Sequence, residues 1–369
     1  MKFLDLDREY VYFDWKNALE QVFVDKCFID GPPVAKFEKE VAEYLGVKHA
    51  IGVTSGTDAL QVAFMALDIA GKTVLTTPYT FIATTEMPIR LGAKVIFCDI
   101  DETFNMDLSK AKEIIKNRHI DVLLLVHLFG LACLDQELLD LCKEKNVTIV
   151  EDCAQAFGTK WRDKQQDDFK SVGSIGEIGC FSFFPAKNLG CAGDAGLITT
   201  NSTELYEKCI QIKKHGSKQK YIHEVHGGNF RMDTVQAALL SEKLPLVDDW
   251  IERRRYAGIA YSMSLSDFPI VCPNIQFPMV RHHSFNQYVI QVEDNVRNVL
   301  VDYLKKRGIP TAIYYPRCLS EQPCYSGIDF ECDCSVSKKM TKRNIALPVA
   351  HLEEAEIQMV VNTIRGYYV

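Results

Sequence analysis

The sequence predicts an α/β protein: a large domain over residues 1–250, built on a mostly parallel seven-stranded sheet flanked by helices, and a smaller C-terminal α/β domain over 251–369. Three observations predict it. Seven short apolar, β-branched segments recur near 50–54, 73–77, 94–98, 121–126, 147–151, 178–183 and 195–199. Helical patterns such as 57–69 and 134–145 separate them through most of the first half, and strands alternating with helices favour parallel pairing. The length of 369 residues, 47% of them hydrophobic, suffices for two cores. Past Asp233 a long helical pattern, from Thr234 to Arg255, leads out of the large domain and places the boundary near 245–255. Phe268-Pro and Cys272-Pro-Asn then mark irregular chain. The segment 284–292, a helix near 296–307 and Thr311 to Tyr315 make up the smaller domain, to which the N-terminal segment is expected to contribute.

The first strand, Ala50-Ile-Gly-Val-Thr54, runs into Ser55-Gly-Thr57 and a helical pattern carrying Leu60, Phe64 and Leu67. A helix N-terminus there suits a phosphate, although Ser55 is equally an ordinary helix cap. A P-loop is excluded, because Gly71-Lys-Thr73 has Ala66 where that motif needs glycine. The strand Val147-Thr-Ile-Val150 delivers Glu151 and Asp152 to its carboxyl end, the edge at which open α/β sheets bind ligands. An aspartate there can ligate a metal, cap a helix or hold a proton on a heteroaromatic nitrogen; Gln155 reaches the same region. Phe181-Ser-Phe-Phe-Pro-Ala-Lys-Asn-Leu-Gly190 sets a single amine, Lys187, in an apolar run. Desolvation lowers the pKa of such an amine and makes it a nucleophile towards aldehydes, whereas a lysine that snorkels its charge to the surface is the plainer alternative.

The net charge of −7 and the absence of any basic run of five argue against a nucleic-acid partner; the triplet Arg253 to Arg255 follows Asp248, Asp249 and Glu252. The thirteen cysteines are scattered, often in apolar strands, and Met1-Lys-Phe-Leu-Asp5 does not read as a signal peptide. Buried thiols in a reducing cytoplasm are therefore expected. Cys332-Asp-Cys334 is the one tight pair, with no second pair at zinc spacing, so no metal is expected. The apolar runs are too short to span a bilayer.

A phosphate cradle, a strand-end aspartate and an amine in an apolar loop are together what pyridoxal 5′-phosphate needs. The chain resembles the nucleotide-sugar aminotransferase family (DegT/DnrJ/EryC1/StrS type) within the fold type I, aspartate aminotransferase-like class. The resemblance rests on Ser55 to Leu60, Thr80-Phe-Ile-Ala-Thr84, Val126 to Gly130, Glu151 to Gly158, Phe181 to Gly190, Gly228-Asn-Phe-Arg-Met-Asp233, Gln236-Ala-Ala238, Ile313-Tyr-Tyr-Pro316 and Leu347-Pro348. It implies that Lys187 forms the Schiff base with the cofactor and afterwards carries the proton between the cofactor's C4′ and the substrate carbon. Asp152 would face the pyridinium nitrogen, Gln155 the phenolic oxygen, and Phe81 the ring. Gly56, Thr57 and Ser182 would hold the phosphate together with Asn229 of a partner subunit, which requires a homodimer. Arg231, Tyr314, Tyr315, Lys220 and Tyr221 become candidates for the substrate site.

The same resemblance implies transfer of an amino group from L-glutamate to a keto carbon of a UDP- or dTDP-linked hexose. Ser284-Phe-Asn-Gln-Tyr288 and Gly228-Asn-Phe-Arg231 favour C3, as in UDP-N-acetylglucosamine-3-ulose, over C4. Many relatives carry proline and histidine where this chain has Cys318 and Ser320, so substrate contacts do not carry over from that segment. A pyridoxamine-dependent dehydratase would have histidine at position 187, and a purely regulatory homologue would be marked by loss of Lys187 or Asp152; both residues are present.

Overall fold

The computed structural model describes residues 1–163, 168–275 and 283–369. Its main sheet has seven strands: β1 (His49–Val53), β2 (Thr73–Thr76), β3 (Lys94–Phe97), β4 (Val122–Val126), β5 (Thr148–Asp152), β6 (Ile178–Ser182) and β7 (Gly196–Thr200). Their order across the sheet is β1-β7-β6-β5-β4-β2-β3. The pairs β2 with β3, β2 with β4, β4 with β5 and β5 with β6 are parallel, while β7 runs antiparallel to both neighbours. Six strands therefore share one direction. The register sets Val126 opposite Asp152 and Asp152 opposite Cys180, which fixes one common carboxyl edge.

Both faces of this sheet are buried, so its strands are apolar throughout yet still alternate between two cores. Leu123, Leu125 and Ile149 pack on one side with Phe37, Phe181 and Phe183. Val122, Leu124 and Val150 pack on the other with Leu60, Phe64 and Ile198. Local signals set the helix limits. Ser55 caps Gly56–Ala66 by accepting the Asp58 amide at 3.0 Å, and Asp135 caps Gln136–Lys145 by accepting that of Leu138 at 2.8 Å.

Two expectations need correction. The helical pattern from Thr234 to Arg255 is not one helix: Thr234–Lys243 ends in a 3-10 turn at Leu244–Leu246 before Val247–Leu265 begins. Pro245, which has no N–H to give a preceding carbonyl, lies in that turn. Thr311 to Tyr315 contributes only an isolated bridge, Ala312 to Ala346. The small sheet instead pairs Tyr288–Gln291 with Asn344–Leu347 in antiparallel register, beneath the C-terminal helix Glu354–Tyr368. A separate core gathers Tyr261, Tyr288, Ile290, Leu300, Leu304, Leu347 and Val360, with Met1 against it. Among the described residues no helix is long and apolar enough to cross a membrane.

The N-terminal arm is tied down by buried charge. Lys243 Nζ lies 2.5 Å from Glu9 Oε1 and donates to the Gly190 carbonyl at 2.6 Å, while His351 stands 3.4 Å from the other Glu9 oxygen. Breaking one partner of a buried pair strands the other charge, at about 3–5 kcal/mol. Lys243→Met is expected to lower unfolding free energy in urea by that order, and Glu9→Gln added to it to restore a large part of the loss.

Candidate active site

The carboxyl ends of the parallel strands bring the sequence-predicted residues to one edge of the sheet. Asp152 ends β5, Ser182 ends β6, Ser55 to Thr57 follow β1, and the segment Pro78 to Thr84 follows β2. Because side chains alternate along β5, Glu151 and Asp152 point to opposite faces. Glu151 is consumed by structure: it accepts the amides of Gly173 at 2.8 Å, Ile175 at 2.9 Å and Gly176 at 2.7 Å, and meets His127 Nε2 at 2.9 Å. His127 Nδ1 accepts the Cys133 amide at 3.0 Å, which leaves the proton on Nε2 for Glu151. Burial alone would raise the Glu151 carboxyl, but the bonds from His127, Gly173 and Gly176 outweigh it and hold the group below its usual range.

Asp152 is treated differently. It is buried and accepts two hydrogen bonds, from Thr84 Oγ1 at 2.8 Å and from the Ala154 amide at 3.1 Å. No cation stands within 4.0 Å of it among the described residues. Burial therefore pushes its pKa up, against the Thr84 and Ala154 bonds and the more distant charge of Lys187. Thr84 is in turn 2.9 Å from Thr80 Oγ1. Neither threonine was singled out as a site residue from sequence, although both belong to the Thr80 to Thr84 motif.

Lys187 stands in the loop that follows β6, where its amide closes a turn onto the Phe184 carbonyl at 2.9 Å. Cys191 N bonds the Phe183 carbonyl at 2.8 Å and Asn188 Nδ2 the Phe157 carbonyl at 3.2 Å, so the loop is pinned at both ends. The Lys187 amine has no hydrogen-bond or ion-pair partner among the described residues. The residue as a whole is half-buried, yet desolvation of the amine dominates and pulls its pKa down to about 8, with Asp152's charge opposing. An amine near that value is about a tenth free base at neutral pH and about half free base near pH 8, far more than an ordinary lysine.

The helix Gly56–Ala66 points its N-terminus at Ser182. A Cβ on Gly56 would lie 2.6 Å from Ser182 Cβ, so only glycine permits this approach. The Gly56 and Thr57 amides have no acceptor among the described residues, as expected for the first turn of a helix. Phe81 is 56% exposed and stacks on no described ring. Gln155 Oε1 accepts the Phe129 amide at 2.8 Å and its Nε2 donates to the Tyr315 hydroxyl at 3.1 Å, leaving one N–H free. Tyr79 in turn bonds the Tyr314 carbonyl at 2.7 Å and accepts the Tyr315 amide at 3.0 Å, so Tyr315 joins the group while Tyr314 flanks it.

The remaining candidates lie apart within the single chain. Asn229 is exposed and accepts Arg231 Nε at 2.8 Å; Arg231 bridges Val53, beside the end of β1. Lys220 and Tyr221 sit at the tip of the hairpin Ser217–Gln219 and Ile222–His223, where Tyr221 is 82% exposed.

Residues 13–365 match the DegT/DnrJ/EryC1/StrS aminotransferase family. The chain is 37% identical to a pleiotropic regulatory protein of Geobacillus stearothermophilus, with 99% of this chain and 98% of that protein covered. It is 36% identical to the UDP-N-acetyl-3-dehydro-alpha-D-glucosamine 3-aminotransferase of Acidithiobacillus ferrooxidans, with 95% and 92% covered. A DegT DnrJ EryC1 StrS aminotransferase from Brucella abortus superposes with a TM-score of 0.92 at 33% identity, covering 100% of this chain and 99% of the other. The chain belongs to the DegT/DnrJ/EryC1/StrS aminotransferase family, fold type I enzymes whose cofactor is pyridoxal 5′-phosphate.

Proposed function

We propose that this chain transfers an amino group from L-glutamate to the C3 keto carbon of a UDP- or dTDP-linked hexose, UDP-N-acetylglucosamine-3-ulose being the leading case. The product would be an amino sugar for cell-surface polysaccharide or lipid A. The observation that carries the reading is the pair of uncompensated groups at the sheet edge, the buried Asp152 carboxylate without a cation and the Lys187 amine without an acceptor. The C3 preference is supported by the Acidithiobacillus relative, whose name specifies a 3-dehydro sugar. A regulatory role without turnover, suggested by the name of the Geobacillus relative, has no use for two unpaired ionisable groups held at that edge.

Pyridoxal phosphate suits these residues. Bound there, it supplies an aldehyde for amines and a ring that draws electrons from the substrate carbon. Asp152, restrained by Thr84 and Ala154, would accept the ring N–H and keep that nitrogen cationic. The free Gln155 N–H would meet the phenolic oxygen, and the exposed ring of Phe81 would lie against the heterocycle. The Gly56 and Thr57 amides and the Ser182 hydroxyl would hold the phosphate. Lys187 Nζ would first secure the aldehyde and then, released by the amino donor, act as the base that moves the proton at the substrate carbon. Asn229, exposed here, would complete the phosphate site of a partner subunit. Val11, Phe23, Val24 and Ile29 are exposed apolar side chains that such a dimer could cover. Arg231, Tyr314 and Tyr315, with Lys220 and Tyr221 from the hairpin, would contact the sugar nucleotide or the donor carboxylate.

Three measurements check this reading. Protein reconstituted with pyridoxal phosphate should show a visible absorption band that L-glutamate bleaches and a UDP-linked 3-keto sugar restores, with the product aminated at C3 by NMR. Lys187→Ala should lack both band and turnover. A band indifferent to glutamate sinks the transaminase reading, and restoration by 4-keto sugars alone moves the amination to C4. Second, because a lowered lysine pKa leaves the amine protonated below it and free above it, the rate of cofactor capture by apoprotein should rise with pH and level off above about 8. An inflection near the ordinary lysine value of 10.5 contradicts the desolvated amine. Third, Lys187→Ala and Asn229→Ala subunits, each inactive alone, should recover about a quarter of wild-type activity when mixed one to one, since only the heterodimer assembles one intact site. No recovery places Asn229 in its own subunit's site.

A further inference from the structure

We infer that helix Thr234–Lys243 clamps the loop that carries Lys187, with Gln236 and Lys243 as positioning residues that hold the amine out of water and in reach of the cofactor's aldehyde. The inference rests on the reading of Lys187 as the cofactor's lysine and not on which sugar is aminated.

The loop needs a hold from outside the sheet. β6 and β7 pair antiparallel, and their ladder continues one step further, where the Phe183 amide bonds the Ala195 carbonyl at 2.8 Å. Beyond that step the chain leaves the sheet and, among the described residues, pairs with no strand. The head of the loop is open: Phe184 is 52% exposed and Lys187 half-buried. Its base is closed, since Asn188, Leu189, Gly190 and Cys191 are buried and Leu189 and Cys191 join the core beneath. A Cβ on Gly190 would lie 2.6 Å from the Pro185 carbonyl oxygen, so the loop folds back on itself and the position of Gly190 fixes that of the head.

The helix grips this base at two points. Lys243 Nζ donates to the Gly190 carbonyl at 2.6 Å and is itself held, 2.5 Å from Glu9 Oε1 and 4.3 and 5.3 Å from the rings of Tyr10 and Phe13. Gln236, about two turns earlier and so on the same helix face, accepts the Ala192 amide at 2.9 Å and donates to the Ala192 carbonyl at 3.3 Å. The start of the helix is tied as well: Thr234 Oγ1 accepts the Gly31 amide at 3.1 Å, and the Thr234 amide bonds the Phe28 carbonyl at 2.9 Å. A helix so anchored delivers Gly190 and Ala192 at fixed positions.

The Lys187 amine has no partner of its own among the described residues, so the height of the loop is what keeps it desolvated. Releasing Gly190 or Ala192 lets the head rise into water, which moves the amine from about 8 towards its ordinary 10.5.

Three chains test this: Gln236→Ala, at a half-buried position; Lys243→Met; and Lys243→Met with Glu9→Gln, in which the stranded carboxylate is removed but Gly190 still lacks its donor. Two readouts are taken on each. In amide hydrogen exchange of the apoprotein, peptides covering Lys187 to Cys191 should exchange faster than in wild type while those of β5 and β6 keep their protection. In the pH profile of pyridoxal phosphate capture, followed by the visible band, the midpoint should move up. A rise of about one pH unit leaves about a tenth of the amine free at pH 8 in place of half, so capture there slows about fivefold. The doubly substituted chain separates aim from stability, because it should regain unfolding free energy yet keep the displaced midpoint. Capture in that chain with the wild-type midpoint, or unchanged exchange of the loop in Gln236→Ala, overturns the clamp alone. Wild-type protein that captures no cofactor overturns the reading of Lys187 and the clamp's role with it.

Discussion

Everything at the site follows from setting two ionisable groups at the dry end of a doubly covered parallel sheet without giving either a counter-ion. Burying a carboxylate costs several kcal/mol unless it is paired, and β5 carries two in succession. Glu151 meets the condition inside the chain, with three backbone amides and His127. Asp152, one residue on and facing the other way, receives only two hydrogen bonds. The contrast is informative because both residues share one strand, one depth and one charge. The fold can satisfy a buried carboxylate here, and at Asp152 it stops at two hydrogen bonds and no counter-ion among the described residues.

The sheet that imposes this cost also supplies the frame. Six parallel strands send their carboxyl ends to one edge, so Ser55, Thr76, His127, Asp152 and Ser182 converge although well over a hundred residues separate the first from the last. Gly56 then lets a helix N-terminus approach Ser182. Lys187 follows on the next loop, pinned by Asn188 to the Phe157 carbonyl and by Lys243 to that of Gly190. The Glu9 to Lys243 pair, remote from the edge, thereby reaches the loop that presents the amine.

What could be read from sequence was whatever is written locally. The seven strands were legible because burial on both faces demands continuous apolar runs, and Lys187, Asp152 and Ser55 to Thr57 because each stands out against its neighbours. The break at Leu244–Leu246 was legible in principle from Pro245, but the apolar spacing on either side hid it. Glu9 with Lys243 was not, since 234 residues separate them and neither is unusual where it stands. Thr84 illustrates the middle case: its motif was visible, its hydrogen bond to Asp152 was not, because helix Ala83–Arg90 and β5 meet only once the sheet is assembled.

Tyr315 shows how the C-terminal third enters the chemistry. It lies beyond the second core's first strand, yet its hydroxyl receives Gln155 Nε2 and its amide is held by Tyr79, so it bridges elements that follow β5 and β2. Gln155 is saturated on its oxygen by Phe129, and a residue so constrained can offer its remaining N–H in one direction only. Burial raises the Tyr315 hydroxyl and keeps it a neutral acceptor for Gln155 across the physiological range. The position of the segment from Tyr314 to Cys318 therefore sets the aim of Gln155.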